Sequence, residues 1–369
     1  MRSKRVLALL AAGLAGSVWA CGGAAQPPAS VHALWRSPLA AGGDPPSGTP
    51  ATDAARLFVV AGAVQAYALG TGALLWQRPL HAYVPRSLVA VSNLLVVPEA
   101  TVSALDAATG RPVWEFTPDA NASLGRAATD GQAVYVGTAS HRVTSLGVAD
   151  GRPRWTADVG PEWTDPAVVR GIAVAGGTVY AAVEQWRDPE GRASAGWLVA
   201  LEASTGRVLW RSLATEGEPR GGLSSAPAVT DRLVIAGDFL ANSLVAVDRA
   251  SGRPVWRFRG EAGRPGFPEA PIVAGGAIYA GSGDTYAYSL TLDGALRWRT
   301  RLPSSIGGYV SCGRGLLLND QGLTVVDPGT GRVLQRAIDG GEFPTSGLAA
   351  RGGDAFLLGP KAVYAYRCT

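Results

Sequence analysis

Along most of the chain, short apolar runs alternate with polar residues at a period of two and are broken by Gly, Asp, Asn or Pro. That pattern predicts β-strands joined by tight turns. It is clearest in residues 104–116, Ala-Leu-Asp-Ala-Ala-Thr-Gly-Arg-Pro-Val-Trp-Glu-Phe, and nearly the same phrase returns at 200–212 and 246–258. Looser copies surround Thr71-Gly72, Asp150-Gly151, Asp293-Gly294 and Thr330-Gly331. Each copy reads as a β-hairpin whose second strand holds a Trp. In the turn, Asp106 or Asp248 can accept hydrogen bonds from backbone N–H groups just ahead, while Gly110 or Gly252 takes the positive φ that closes it.

The turn glycines Gly72, Gly110, Gly151, Gly206, Gly252, Gly294 and Gly331 lie 37 to 55 residues apart. Such spacing with β chemistry fits a four-stranded propeller blade. Upstream of the hairpins lies a further strand pair, clearest in residues 225–237. Pro166, Pro227 and Pro271 stand at first-strand entries, where a missing N–H is tolerated. The outer-strand slot holds Trp35, Trp76, Trp114, Trp155, Trp210, Trp256 and Trp298, with Gln335 in the eighth. Trp35 has no hairpin before it, and residues 347–350, 355–358 and 362–367 read as three strands lacking a fourth. The expected fold is therefore all-β: an eight-bladed propeller of four-stranded antiparallel blades, closed by residues 32–37 pairing with the C-terminal blade. Closure removes the sheet edges that invite aggregation.

A chain of 369 residues could hold two ordinary domains, but the repeat runs through nearly all of it, so residues 31–369 read as one propeller domain. Hydrophobic content of 47%, with 49 Gly and 25 Pro, suits many short strands and turns. Residues 1–20 have a basic start, an apolar run and small residues at the end, which reads as a signal peptide. Val18-Trp19-Ala20-Cys21 resembles the lipobox of bacterial lipoproteins, in which the Cys is lipidated, although Trp19 departs from the usual small residue. Residues 21–30 then form a lipidated tether, and the chain is expected on a membrane of the cell envelope, with plain secretion or a periplasmic location as the alternative. Without Arg2, Lys4 and Arg5, 30 basic residues face 29 acidic ones, a balance that gives no support to a nucleic-acid partner.

Cys312 falls on the inner strand of the penultimate blade and Cys368 on the third strand of the last. With blades stacked rank on rank, two strand spacings of roughly 4.8 Å and one sheet separation of about 10 Å lie between them. A bridge needs Cα atoms within about 7 Å, so two thiols are expected. The recurrent Trp residues read as fillers of the wedge between blades. Trp163, Trp186 and Trp197 stand outside that register. Three excursions, 184–196, 214–223 and 259–268, emerge on one face over neighbouring blades. Gln185, Trp186, Arg187, Asp188, Glu190 and Arg192 in the first, Glu218 and Arg220 in the second, and Arg264 and Phe267 in the third mix charge with aromatics as partner surfaces do.

Catalytic constellations are missing from the sequence. His32, His81 and His141 share no metal-ligand spacing, and there is no nucleophile elbow, P-loop or dinucleotide fingerprint. Asp106, Glu202, Asp248 and Asp327 recur too regularly, each starting a turn, to form one acid/base pair. No catalytic, cofactor or metal residue is therefore expected.

The phrase at 104–114, together with Ser-Ser-Ala-Pro-Ala-Val-Thr-Asp-Arg-Leu-Val from residue 224, resembles the PQQ-like propeller repeat, and the resemblance covers roughly residue 31 to the C-terminus. That family joins quinoprotein dehydrogenases to non-enzymatic envelope lipoproteins of BamB type. The BamB-type resemblance implies a non-catalytic scaffold for outer-membrane protein assembly, docking an envelope protein of the β-barrel assembly machinery. The alternative it implies is a PQQ-dependent dehydrogenase, or a ligand-binding sensor with its site over the central channel. Quinoprotein alcohol dehydrogenases usually carry an adjacent Cys-Cys pair and a calcium set with a catalytic Asp; this sequence has no such pair and no matching calcium set.

Overall fold

The structure, a computed structural model, describes residues 29–40, 46–80, 87–118, 126–138, 140–160, 167–187, 194–217, 222–337 and 347–369. The expected leader, Cys21 and most of the tether lie outside these residues. Strand β1 (Val31–Pro38) comes first in the chain and stands apart from its sequence neighbours. Blade 1 follows as β2 (Ser47–Thr52), β3 (Arg56–Val60), β4 (Ala63–Ala68) and β5 (Leu74–Pro79). Blade 2 is β6 (Val89–Val91), β7 (Leu94–Pro98), β8 (Val102–Asp106) and β9 (Pro112–Phe116). Blade 3 is β10 (Ala127–Thr129), β11 (Ala133–Gly137), β12 (Arg142–Gly147) and β13 (Pro153–Asp158). Blade 4 is β14 (Ala167–Ala175), β15 (Thr178–Trp186), β16 (Ser194–Glu202) and β17 (Val208–Gly217). Blade 5 is β18 (Ala228–Val229), β19 (Leu233–Asp238), β20 (Ser243–Asp248) and β21 (Pro254–Arg259). Blade 6 is β22 (Ile272–Ala274), β23 (Ala277–Gly281), β24 (Tyr286–Thr291) and β25 (Leu296–Arg301). Blade 7 is β26 (Gly308–Cys312), β27 (Gly315–Asn319), β28 (Leu323–Val326) and β29 (Val333–Ala337). Blade 8 is β30 (Leu348–Arg351), β31 (Asp354–Leu358) and β32 (Ala362–Cys368), completed on the outside by β1. The fold is the expected eight-bladed antiparallel propeller, with inner strands that neighbour one another in a closed cycle.

Alternating apolar residues of the middle strands fill the gaps between blades, so the core is a set of wedges, such as Phe58, Leu95 and Leu105 between blades 1 and 2. The repeated Trp closes each wedge. Its ring leans over the hairpin turn of the next blade, and its Nε1 donates to a backbone carbonyl there at 2.8 to 3.0 Å, from Trp35 to Leu69 round to Trp298 and Pro328. The turn glycine serves two ends at once. Gly252 has φ of 72°, and a Cβ there would stand 2.7 Å from Cδ2 of Trp210. The phrase Thr-Gly…Trp thus encodes both halves of a joint made with neighbouring copies.

At the eighth joint Gln335 replaces the indole. Its Oε1 accepts from the Val31 N–H at 2.8 Å, and its Nε2 donates to the Val31 carbonyl at 3.0 Å. Beside it, Cys312 and Cys368 form a disulfide with Cα atoms 5.8 Å apart. This corrects the expectation of two thiols. Sheets twist, so neighbouring blades do not stack rank on rank at their ends. On the hairpin-turn face, the turn between the first two strands of one blade meets the end of the third strand of the next. Gly313 accordingly sits against Cys368, and Arg249 of blade 5 donates to the Ala175 carbonyl of blade 4 at 3.1 Å.

Every outer strand also carries a β-bulge at one place. The residue before the Trp, or before Gln335, is skipped in the ladder: Leu34, Leu75, Val113, Arg154, Leu209, Val255, Arg297 and Leu334. Closure of the ring leaves eight outer edges in place, which corrects the expectation that it removes them; a bulge twists an edge strand away from flat pairing, so each of these edges is spoiled by the repeat itself. Among the skipped side chains Leu34, Leu75, Val113, Leu209 and Val255 are exposed aliphatics, whereas Leu334 is partly buried against the core between blades 7 and 8.

Candidate docking face

The two faces of the ring differ in chemistry. One carries the repeated hairpin turns, where Asp106, Asp248 and Asp327 cap their own loops. The Thr109 hydroxyl, then the Thr109 amide, hold the Asp106 carboxyl below the ordinary aspartate value. The Ser251 hydroxyl leads for Asp248 and the Thr330 amide for Asp327, with the same sign. These carboxylates are structural, as their regularity implies. The opposite face carries the second-to-third-strand turns and the links between blades, and there the repeat breaks down. His141, Asn242, Thr285 and Gln321 take positive φ in those turns without being glycine. Gly62 takes the same conformation in the matching turn of blade 1, so this is a recurring turn geometry.

Blade 4 departs most from the repeat. Its strands run nine or ten residues where most of the others have six or fewer. The sequence reading places a loop at 184–196, but β15 continues to Trp186 and β16 resumes at Ser194, paired residue for residue. Similarly β17 runs on to Gly217 through the expected 214–223 excursion. Bulges at Arg170 and Ala214 bend the two flanking strands where the overhang begins. An overrun of some three residues lifts the sheet about 10 Å above its neighbours.

Buried polar groups tie the overhang to blade 5 and the following link to blade 6. Arg170 Nε donates to Glu184 Oε2 at 2.6 Å, and Gly222 packs on that carboxylate because any Cβ there would strike it. The Gly222 N–H donates to Asp238 Oδ2 at 2.9 Å, while Leu240 and Ala241 N–H groups donate to its Oδ1. Asp238 is fully buried, and burial pushes its carboxyl up despite these donors. In blade 6, Asp284 accepts from the Tyr288 hydroxyl at 2.7 Å and from the Glu261 N–H at 3.0 Å, which pins the 259–268 link.

The residues singled out from sequence separate accordingly. Arg187 and Arg264 are exposed and Trp186 half-exposed, on the same face. Gln185 is buried and accepts from Trp197 Nε1 at 2.9 Å. Phe267 is fully buried against Tyr288, with ring centroids 5.6 Å apart, so it anchors its loop and offers no contact surface. This corrects its assignment as a partner residue: an aromatic in a long loop can equally be the plug that holds the loop down. Asp188, Glu190, Arg192, Glu218, Arg220 and Trp163 lie outside the described residues. The sequence reading missed Phe239 and Leu240, the latter 43% exposed at the tip of the turn over Asp238. An apolar pair inside a turn, Asp-Phe-Leu-Ala-Asn, is the signal that could have found them.

Two crevices between blades, of about 170 Å³ beside Arg142 and Thr144 and about 120 Å³ beside Asp320 and Arg336, are each below the roughly 300 Å³ of ordinary small-molecule sites. The calcium set and adjacent cysteine pair implied by the dehydrogenase resemblance are not found among the described residues. Among the described residues no cluster of three His, Cys, Asp or Glu side chains converges, and Cys312 and Cys368 are joined across blades 7 and 8 rather than adjacent in sequence.

Comparison with known proteins agrees with this architecture. The family model described as outer membrane protein assembly factor BamB matches residues 27–161 and 98–337. The crystal structure of BamB from Moraxella catarrhalis superposes with a TM-score of 0.71 at 19% identity, covering 92% of this chain and 100% of that one. The quinohemoprotein alcohol dehydrogenase ADHIIG from Pseudomonas putida HK5 gives 0.70 at 13% identity, covering 91% and 76%. The computationally designed Ika8 protein also gives 0.70, at 14% identity over 88% and 97%. At these identities the superpositions show the fold alone. No curated protein matches the chain.

Proposed function

The chain belongs to the outer membrane protein assembly factor BamB family, and from that premise we propose that it is a non-catalytic scaffold of the cell envelope. In this reading Cys21 carries the lipid anchor on the periplasmic side of the outer membrane, residues 1–20 are removed, and the propeller from residue 31 docks a protein of the β-barrel assembly machinery. The observation that carries the reading is the overhang of blade 4, braced by buried polar groups that serve presentation of a surface. Its rim of Trp186, Arg187, Leu240 and Arg264 combines a half-buried aromatic, an aliphatic and guanidinium groups, the residue types on which interfaces depend. A ring with fixed blades presents them with little ordering cost, and membrane attachment raises the local concentration of both partners.

The test replaces residues 187–193 by a two-residue turn and adds Leu240→Asp. Co-purification of the barrel-inserting component should be lost while the unfolding midpoint stays within experimental error of the parent. Retained co-purification with both changes would sink the proposal. The likeness to a quinohemoprotein dehydrogenase motivates one control, titration with pyrroloquinoline quinone and Ca²⁺ followed by Trp fluorescence. Saturable binding with dye-linked alcohol oxidation would replace the scaffold reading by an enzymatic one.

A further inference from the structure

The skipped residues of the outer strands form a belt around the rim, and their order around the ring is uneven. Starting from blade 6 they read Arg297, Leu334, Leu34, Leu75, Val113 and Arg154. Of the four consecutive aliphatics bounded on both sides by Arg, Leu334 is partly buried against the core and the other three are exposed. The centre of this arc is the junction of β1 and β5, where Trp35 reaches into the turn of blade 1. Leu34, Leu75 and Val113 are 45%, 48% and 50% exposed, and Leu74 beside Leu75 adds a further 46% exposed Leu. Packing within the ring accounts for none of this exposure, and a bulged edge offers no ladder for a β-strand partner.

What the arc faces is indicated by where the chain enters it. Cys21 precedes Ala29 by eight residues, so an acyl group on that sulfur can stand no more than roughly 29 Å from the start of the ring. The ring starts with β1, the middle outer strand of the arc. We infer that this rim segment rests on the phospholipid surface to which Cys21 is attached. Leu34, Leu74 and Leu75 dip into the headgroup boundary, and Arg154 and Arg297 meet phosphates where the rim curves away. One acyl-bearing point leaves a protein free to swivel; an apolar strip with cationic ends beside that point fixes its orientation. The docking face is then held edge-on to the membrane. The inference rests on the lipid anchor of the proposed function.

The test uses the acylated full-length protein in phosphatidylethanolamine/phosphatidylglycerol vesicles that contain a doxyl-labelled phospholipid. Cys312 and Cys368 are bridged, so Leu75→Cys or Val255→Cys provides a single site for a bimane label. The expected result is co-flotation of both proteins with quenching and a blue shift at position 75 only, and Leu34→Glu with Leu74→Glu should abolish the quenching without loss of flotation. Co-flotation with neither label quenched would overturn the rim contact while leaving the anchor in place. Quenching of both labels would overturn it by showing no preferred orientation. Failure to float would overturn the anchor and the rim contact together, and protection of position 75 without vesicles would assign the arc to a second copy instead.

Discussion

Replacing Cys312 and Cys368 by Ser tests whether the seam of the ring is closed by cross-linking or by packing alone. The bridge joins residues 56 apart, and on the chain-entropy model a loop of that length withholds about 14 cal/mol/K from the unfolded ensemble, or about 4 kcal/mol at 25 °C. The eighth joint has a Gln in place of the Trp found at the other seven, and the two Gln335 hydrogen bonds are worth about 1 kcal/mol each. For some 300 ordered residues melting together, with an unfolding entropy near 2.1 cal/mol/K per residue, about 4 kcal/mol is about 6 °C in Tm. Calorimetry of the parent, the parent with reductant and the Cys312→Ser/Cys368→Ser protein measures this directly. The last two should coincide below the oxidised parent, and in hydrogen exchange β1 and β32 should lose protection before any other strands. Equal Tm values for all three would refute the reasoning, because the seam would then be held by its packing.

Three further outcomes follow from the joints and turns. Gly252→Ala forces a side chain into positive φ and against the Trp210 ring, and should cost on the order of 1–3 kcal/mol in denaturant unfolding. Trp210→Phe keeps most of the wedge but loses the bond to the Arg249 carbonyl and should cost about 1 kcal/mol beyond the volume lost, whereas Trp210→Ala should cost about 3–5 kcal/mol. Asp106, Asp248 and Asp327 are held below the ordinary carboxyl range, so in acid the folded chain binds fewer protons than the unfolded one. Their stabilisation is complete above about pH 5, where the unfolded carboxyls are also ionised, and disappears as pH falls through the folded values; the triple Asp→Asn protein should therefore show a flatter loss of stability below about pH 5 in urea titrations.

The blade number and the pairing of β1 with β32 were legible because they depend on a local phrase whose residue types are fixed by turn geometry. The Trp joint was legible only in part: the repeat marks Trp and Gly as special, but that each Gly lies under the Trp of the preceding copy is a relation between blades. The disulfide was misread for the same reason, since strand rank along a chain does not contain the twist that brings Gly313 to Cys368. Blade 4 was misread because Glu, Gln and Trp at 184–186 break the apolar alternation, although pairing with Ser194, Ala195 and Gly196 restores the ladder. Phe267 looked like a surface aromatic because burial of a loop residue depends on contacts with Tyr288 and Gly237 that no local pattern records.

Joining the first strand to the last has a temporal cost. Val31 pairs with Cys368, so β1 leaves the ribosome about 340 residues before its partner exists, which at 5–20 residues per second is roughly 17 to 70 s. During that interval seven blades can assemble in order while the first strand waits without its partner. Maturation of this protein is therefore timed by its final residues, and truncation by even one strand at the C-terminus would leave the whole circle unlatched.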